Sequence, residues 1–190
     1  MRRVLGIGLI IGAVLAVVPL GASAQVAPGR LQPSLLKKSL KGVLGTGDQV
    51  SWQTIALDDS TQQVIEGQLK QMKHTPDTLY VGRISTDKGD YLLIPDIAPS
   101  RSEVFSFVLY LDSSLEVYDV DVLAYRENYG YEIDFPMFRN QYKGKSKPGD
   151  VIFGRTIQNI SGATISARSL TQAVHDLLAI IQPLQNQLKP

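Results

Sequence analysis

The segment Ile160–Ser166 combines residue types that suit a phosphate group. It reads Ile-Ser-Gly-Ala-Thr-Ile-Ser, so small and hydroxyl-bearing side chains follow one another. Glycine and alanine let a ligand approach the backbone closely. A helix predicted to begin near Ser166 or Ala167 offers unpaired N–H groups and the positive end of its dipole, and Arg168 adds a charge. The segment therefore indicates a phosphate site, although the same string is typical of a plain turn and helix cap.

Other reactive side chains form no recognisable catalytic set. The chain has no cysteine, which excludes disulfides, iron–sulfur clusters, c-type haem attachment and a thiol nucleophile. We interpret His74 and His175 as surface residues and predict no metal site, because neither has neighbours spaced as metal ligands. A Gly-x-Ser-x-Gly nucleophile elbow is absent from the sequence, so nothing supports a hydrolase. We interpret the acidic pairs as solvating residues; they are Asp58 with Asp59, Asp119 with Asp121, and Glu132 with Asp134.

The predicted helices follow from apolar spacing. The clearest is the last, whose apolar stripe recurs every three or four residues from Leu170 to Ile181 and ends before Pro183. An earlier helix begins at Ser34 and ends at Gly45. Another is capped by Asp58, has its apolar stripe at Val64, Ile65, Leu69 and Met72, and ends at Pro76.

Between these helices the sequence alternates as β-strands do. Four strands are predicted, with a hairpin turn at Thr86–Gly89; they are Leu79–Ile84, Asp90–Ile94, Val104–Leu111 and Leu115–Tyr125. Val104–Leu111 is apolar on both faces and is predicted to be central, whereas Leu115–Tyr125 should have one buried and one largely wet face. A further strand, Val151–Thr156, should lead into the small-residue segment. The order predicts a single α+β domain with helices packed on an antiparallel sheet.

The N-terminal residues predict export. Residues 1–24 contain Arg2 and Arg3, the uncharged run Val4–Leu20, and the small-x-small site Ala22-Ser23-Ala24. This pattern is typical of a secretory signal peptide cleaved before Gln25. The alternative is a retained membrane anchor, because the run approaches the roughly 20 apolar residues that a spanning helix needs. Residues 25–33 are a predicted flexible lead-in, and residues 34–190 the domain, with a helical part at 34–75 and a core at 78–182.

The charge balance excludes a typical nucleic-acid-binding protein. The 190-residue chain has 19 Lys and Arg against 18 Asp and Glu, for a formal net charge of +1. A protein that binds nucleic acid needs a clear basic surplus. We therefore predict no nucleic-acid partner.

The string Ser161-Gly162-Ala163-Thr164 resembles the attachment motif of the FMN-binding domain family, whose members include subunits of membrane redox complexes. The similarity extends to Tyr125–Ile133 and to Phe138–Gly144, and covers about Thr78–Ile181. The family usually has an acidic residue three positions before the serine, where this chain has Gln158.

This resemblance implies that FMN is bound covalently, through a phosphoester that an FAD-dependent flavin transferase forms on Thr164. The part of the site that would hold the FMN phosphate also includes the motif residues Ser161, Gly162 and Ala163, and Ser166 after them. A flavin ring also needs apolar walls and backbone donors. Our candidates for contact with the flavin ring are Tyr129, Gly130 and Tyr131, on a loop that Glu127 and Glu132 are expected to position by hydrogen bonds. The alternative is that the tyrosines are packing residues and that the glutamates only solvate the loop.

The sequence thus predicts an exported, periplasmic flavoprotein that carries electrons between membrane or periplasmic redox partners. No residue set indicates an enzyme with its own substrate. The alternative is a module for assembly or sensing that binds FMN non-covalently or lacks FMN. This alternative stays open because Gln158 replaces the acidic residue that is usual in the family.

Overall fold

A five-stranded antiparallel sheet forms the centre of the protein. The computed structural model describes residues 27–69 and 76–189. The strand order follows the chain order; the strands are β1 (Ser51–Ala56), β2 (Thr78–Thr86), β3 (Gly89–Pro99), β4 (Val104–Leu111) and β5 (Val117–Ala124). Each strand pairs antiparallel with the next. This sheet and its helices confirm the predicted single α+β domain.

Helices cover both faces of this sheet. They are α1 (Pro33–Val43), α2 (Asp59–Gln68), the short α3 (Pro136–Arg139), α4 (Thr164–Ile181) and the short α5 (Gln185–Leu188). The N-cap of α2 is Asp58, as predicted, and its carboxylate accepts a 2.8 Å hydrogen bond from the Thr61 N–H. This bond satisfies one of the free N–H groups of the first helical turn.

The main core lies between the sheet and α4. The predicted stripe from Leu170 to Ile181 is buried along its whole length. It packs on Phe105, Phe107 and Leu109, which alternate along β4 and so point to the same face. As predicted, β4 is buried on both faces, although in the strand order it lies between β3 and β5 rather than at the middle.

The opposite face of the sheet is not wet, which corrects the expectation for β5. Here α1 packs on residues such as Leu93, Val108 and Tyr110. Asp119 and Asp121 lie half-buried on this side and pair with Arg139, at 3.0 and 2.6 Å. Asp134 joins the same guanidinium at 3.1 Å. These carboxylates are therefore ion-pair partners of a single arginine rather than solvating residues.

Two further predictions about the elements need correction. The predicted strand Val151–Thr156 is wrong: the segment is a turn closed by local hydrogen bonds, in which the backbone N–H groups of Thr156 and Ile157 donate to the Ile152 carbonyl. The strand β1 was not predicted, because its apolar residues are few and only half-buried at a sheet edge. Trp52 in β1 is half-buried.

Several predictions concern residues outside the described ranges. The signal peptide at 1–24 and the stretch 70–75, with Met72 and His74, belong to this group. The described part of the lead-in contains a short 3-10 turn, Pro28–Arg30, followed by the buried Leu31. Across 27–69 and 76–189, no helix is both long and apolar enough to span a bilayer.

Candidate functional site

An open cleft brings together the two segments that the sequence analysis singled out. Its volume is about 750 Å³, and it lies between the loop that follows β5 and the turn that enters α4. Predicted site residues from both segments line it: Glu127, Tyr129, Gly130, Gly162, Ala163, Thr164 and Ser166. The cleft thus joins residues that are more than thirty positions apart in the chain.

The first turn of α4 faces this cleft without a cap. The helix begins at Thr164, two residues earlier than the sequence indicated, and its N-cap residue Ala163 has no side chain that can accept a hydrogen bond. The first helical bond runs from the Ala167 N–H to the Ala163 carbonyl, at 2.8 Å. Backbone N–H groups ahead of Ala167 have no partner within the helix. They and the helix dipole favour an anion at this position.

Arg168 does not add its charge to the cleft as expected. Its guanidinium lies over the ring of Phe153, 5.2 Å from the centroid, and it is absent from the cleft lining. A cation–π contact of this kind holds the side chain on the other side of the helix start. The positive groups that do line the cleft are Arg101 and Arg126.

Thr164 presents an exposed hydroxyl at the rim of the cleft. Its Oγ1 accepts a 2.9 Å hydrogen bond from the side-chain amide of Asn159. Gln158 contributes no such contact, since its side-chain amide donates to the Arg155 carbonyl at 3.0 Å. The hydroxyl is therefore both accessible and oriented by a neighbouring residue.

Tyr125 links the two walls of the cleft. Its hydroxyl donates a 2.8 Å hydrogen bond to the Tyr129 carbonyl and shares another of 2.8 Å with Ser166 Oγ. Burial raises the pKa of the Tyr125 hydroxyl, and the nearby Glu127 and Glu132 carboxylates raise it further. The tyrosine therefore stays protonated and keeps its role as a donor at neutral pH.

Gly130 is required where the loop passes Tyr125. Its φ of +90° lies in the left-handed region, and a Cβ added there would collide with the Tyr125 hydroxyl. Only glycine adopts this conformation without a side chain in the way. The backbone therefore approaches the cleft more closely at Gly130 than any other residue would allow.

Glu127 positions the loop, as the sequence analysis expected. One carboxylate oxygen accepts hydrogen bonds from the Ser100 hydroxyl and from the backbone N–H groups of Ser102 and Glu103. These bonds, with that of Ser100 the largest cause, hold the pKa of Glu127 below its ordinary value. The charged glutamate thus ties the loop after β5 to the connection between β3 and β4.

Glu132 behaves differently from Glu127. Its Oε2 is buried and has no hydrogen-bond partner. The carboxylate lies against Gly162, which has a φ of +88°, so that a Cβ on Gly162 would meet Glu132 Oε1 at 2.7 Å. An unsatisfied carboxylate oxygen directly beneath the motif is unusual, because buried polar atoms nearly always have a partner.

The loop around Gly130 presents exposed aromatic rings. Tyr129 is 80% exposed and Tyr131 is 50% exposed. Tyr131 makes an edge contact with Phe135 at 5.8 Å between centroids. Ile165, 54% exposed, lines the cleft from the α4 side. These apolar groups are available to a planar ligand, since nothing in the described residues covers them.

Some predicted residues stand apart from the cleft, and others in it were not predicted. Ser161, Tyr131 and Glu132 neighbour the cleft but do not line it. Arg101, Ser102 and Asn128 line it without having been proposed. Arg101 and Ser102 come from the connection between β3 and β4, and no motif marks them. The described residues contain no group of three or more His, Asp or Glu side chains that could hold a metal ion.

A family of known proteins matches the part of the chain that contains the cleft. Residues 102–179 match the family model of the FMN-binding domain. This match confirms the family resemblance. The matched range contains Thr164 and both walls of the cleft apart from Arg101. The FMN-binding domain match supports flavin binding by this chain, while the individual site residues stay predictions.

One solved structure shares the fold of this chain, and a second has a lower similarity. NqrC of Shewanella oneidensis has a TM-score of 0.58 at 14% identity, covering 83% of this chain and 97% of that chain. One subunit of the Na⁺-translocating NADH-quinone reductase from Parabacteroides distasonis has a TM-score of 0.48 at 13% identity, covering 71% of this chain and 77% of that chain. No curated protein matches the chain. The likeness to NqrC at this level of identity concerns the fold.

Proposed function

We propose that this protein is an exported flavoprotein that holds FMN covalently through Thr164 and carries electrons between redox partners. One observation carries the proposal: the exposed hydroxyl of Thr164 stands at the uncapped start of α4 and opens into the cleft formed with the loop after β5. This arrangement combines a nucleophilic oxygen, anion-binding backbone groups and space for a ligand.

The residues of the cleft fit FMN in size and polarity. Ligand sites typically have volumes of roughly 300–1,000 Å³, and this cleft has about 750 Å³. The N-terminus of α4 suits the phosphate, since a helix dipole stabilises an anion by about 0.3–1 kcal/mol. Tyr129 and Ile165 offer apolar surface for the ring.

The attachment step would use a flavin dinucleotide and a flavin transferase. The Thr164 oxygen attacks the phosphorus on the flavin side, and an Oγ1–P bond forms. The phosphoanhydride P–O bond breaks, and adenosine monophosphate leaves with the electron pair. The Thr164 proton passes to a base of the transferase. Nothing is oxidised or reduced, and the product is a phosphodiester with about one negative charge, which the start of α4 stabilises.

Bound FMN supplies reversible electron uptake and release. The chain's own residues hold, orient and expose the group. Tyr125 ties the Tyr129 carbonyl to Ser166, and Glu127 fixes the loop to the strand connection. Because Tyr129 and Tyr131 remain exposed, one side of the site stays open to a redox partner. Membrane or periplasmic redox proteins are the partners that we propose.

A covalent bond suits the location that we propose. The N-terminal residues have the pattern of a signal peptide, and outside the cytoplasm a dissociated FMN would be lost by diffusion. An ester on Thr164 prevents that loss.

The decisive test replaces the hydroxyl while retaining the shape of the side chain. The wild type, Thr164→Val and the control Thr54→Val, at an exposed position in β1 outside the cleft, are each produced and exported with a flavin transferase. Denatured protein is examined for flavin fluorescence on a gel, and the labelled peptide for its mass. We expect covalent flavin on the wild type and on Thr54→Val, and none on Thr164→Val. Thr164→Ser retains a hydroxyl but loses the methyl group that restricts it, so we expect weaker labelling.

Contrary outcomes are easily recognised. Flavin that stays covalently attached to Thr164→Val places the bond elsewhere. A wild type that carries no covalent flavin in the presence of an active transferase overturns the proposal. That outcome favours the alternative, an assembly or sensing module that binds FMN non-covalently or lacks FMN.

A further inference from the structure

Asn159 contacts the oxygen that attachment would use. Its Nδ2 donates a 2.9 Å hydrogen bond to Thr164 Oγ1. Both side chains are exposed, so a reagent can approach the pair from solvent. The amide therefore lies beside the reacting atom without covering it.

The backbone on either side of Asn159 is anchored, which places the base of its side chain beside Thr164. Gln141 Oε1 accepts a 2.7 Å hydrogen bond from the Gln158 N–H, and Gln141 Nε2 donates to the Gln158 carbonyl at 3.3 Å. Ile157 and Ile160 are buried on the two sides, at 0% and 8% exposure. Asn159 is thus an exposed residue on a segment held by its neighbours.

The direction of this hydrogen bond, with Asn159 as the donor, determines its effect on the Thr164 hydroxyl. An amide nitrogen only donates, so it occupies a lone pair of Oγ1 and leaves the Thr164 proton pointing elsewhere. The proton is then free to pass to a base. As negative charge develops on Oγ1, the same N–H stabilises it, because hydrogen bonds to charged atoms are stronger than those between neutral groups.

We propose that Asn159 orients the Thr164 hydroxyl and stabilises its oxygen during flavin attachment. This inference rests on the proposed function and adds a residue to the same site. The usual acidic position of the family's motif is occupied here by Gln158, whose side chain is turned to Arg155. Asn159, and not Gln158, is the residue that touches the reacting oxygen in this chain.

The test measures the rate of attachment rather than its final extent. Purified flavin-free wild type, Asn159→Leu and Asn159→Asp are incubated with FAD and a purified flavin transferase, and protein-bound fluorescence is followed after denaturation. We expect Asn159→Leu to react about tenfold to a hundredfold more slowly, as befits loss of one hydrogen bond to a developing charge. Its unfolding transition and its non-covalent affinity for FMN should match those of the wild type.

The Asn159→Asp variant reports on the direction of the hydrogen bond. The ionised carboxylate that this substitution introduces cannot donate, so the variant should be slow at pH 8. Protonation of that carboxylate restores a donor, so the rate relative to the wild type should rise as the pH falls towards about 5. A purely structural role for Asn159 would give a ratio independent of pH. Asn186, exposed on α5 and absent from the cleft, provides the matched controls Asn186→Leu and Asn186→Asp, which should react like the wild type.

The outcomes separate the two proposals. Equal rates for the wild type and Asn159→Leu, or an Asn159→Asp variant faster than the wild type at pH 8, overturn the role of Asn159 alone. A wild type that acquires no covalent flavin overturns the proposed function and this inference with it.

Discussion

The carboxylate of Glu132 lies against the backbone of Gly162, so that a Cβ on the glycine would meet Glu132 Oε1 at 2.7 Å. The contact joins the loop after β5 to the small-residue motif. Two features therefore require glycine at this position of the motif. The carboxylate leaves no room for a Cβ, and the φ of +88° disfavours residues other than glycine.

Replacing Gly162 should therefore destabilise the fold. For Gly162→Ala we expect a loss of about 1–3 kcal/mol in the free energy of unfolding, from backbone strain and contact with Glu132. Urea denaturation of the flavin-free protein measures it. In a Glu132→Ala background the loss should shrink but persist, because only the contact is removed. Gly67→Ala in α2 is the control: no atom lies within 4 Å of its added Cβ, so no loss is expected. An unchanged Gly162→Ala would contradict this account.

Removing the orphaned carboxylate should not weaken the flavin-free protein. Glu132→Met replaces a buried oxygen that has no partner with an apolar group. We expect the free energy of unfolding to be unchanged or to rise by up to about 1 kcal/mol. The same denaturation experiment checks it. A clear loss of stability would show that Glu132 has a partner in solution.

Glu127, unlike Glu132, should stabilise the fold, and its contribution to stability should depend on pH. Folding lowers the pKa of this carboxyl below its ordinary value of 4.5. Its stabilisation is therefore present above about pH 4.5 and is lost as the pH falls through the lower, folded value. We expect Glu127→Gln to lower the Tm at pH 7, and the difference from the wild type to shrink towards pH 3. Glu116→Gln, at an exposed position, serves as the control. A difference that grows in acid would contradict this sign.

Tyr129 and Tyr131 should affect the flavin more than the fold. Because Tyr129 is 80% exposed, Tyr129→Ala should change the free energy of unfolding by no more than about 0.5 kcal/mol. Ring stacking is worth about 0.5–1.5 kcal/mol beyond burial, so either alanine variant should shift the flavin's absorption or midpoint potential. Val64→Ala, in α2 and outside the cleft, should shift neither. If both tyrosine variants keep the wild-type spectrum and potential, the ring lies elsewhere.

Export can be tested on the intact chain. We expect N-terminal sequencing of the exported protein to begin at Gln25, after the small residues Ala22-Ser23-Ala24. Recovery of only uncleaved protein, confined to membranes, would instead support a retained anchor.

Local sequence patterns were sufficient to predict the strongly periodic elements and the motif. The stripe of α4, the Asp58 cap and the strand β4 follow from local spacing and side-chain chemistry, and the structure has them. The string Ser161–Thr164 marked the start of α4 because small residues and hydroxyls are recognisable without tertiary context. The edge strand β1 escaped prediction, since half-buried positions leave only a weak pattern.

The contacts between these elements depend on how the whole chain folds. The covered face of β5 depends on α1, which arrives from a distant part of the chain. Hydrogen bonds between residues far apart, such as Tyr125 with Ser166, build the cleft. Arg168 contacts Phe153, which lies in a turn where a strand had been expected, and Asn159 contacts Thr164. Residue types reveal which chemistry is available, but pairwise distances and directions arise only when the whole chain packs.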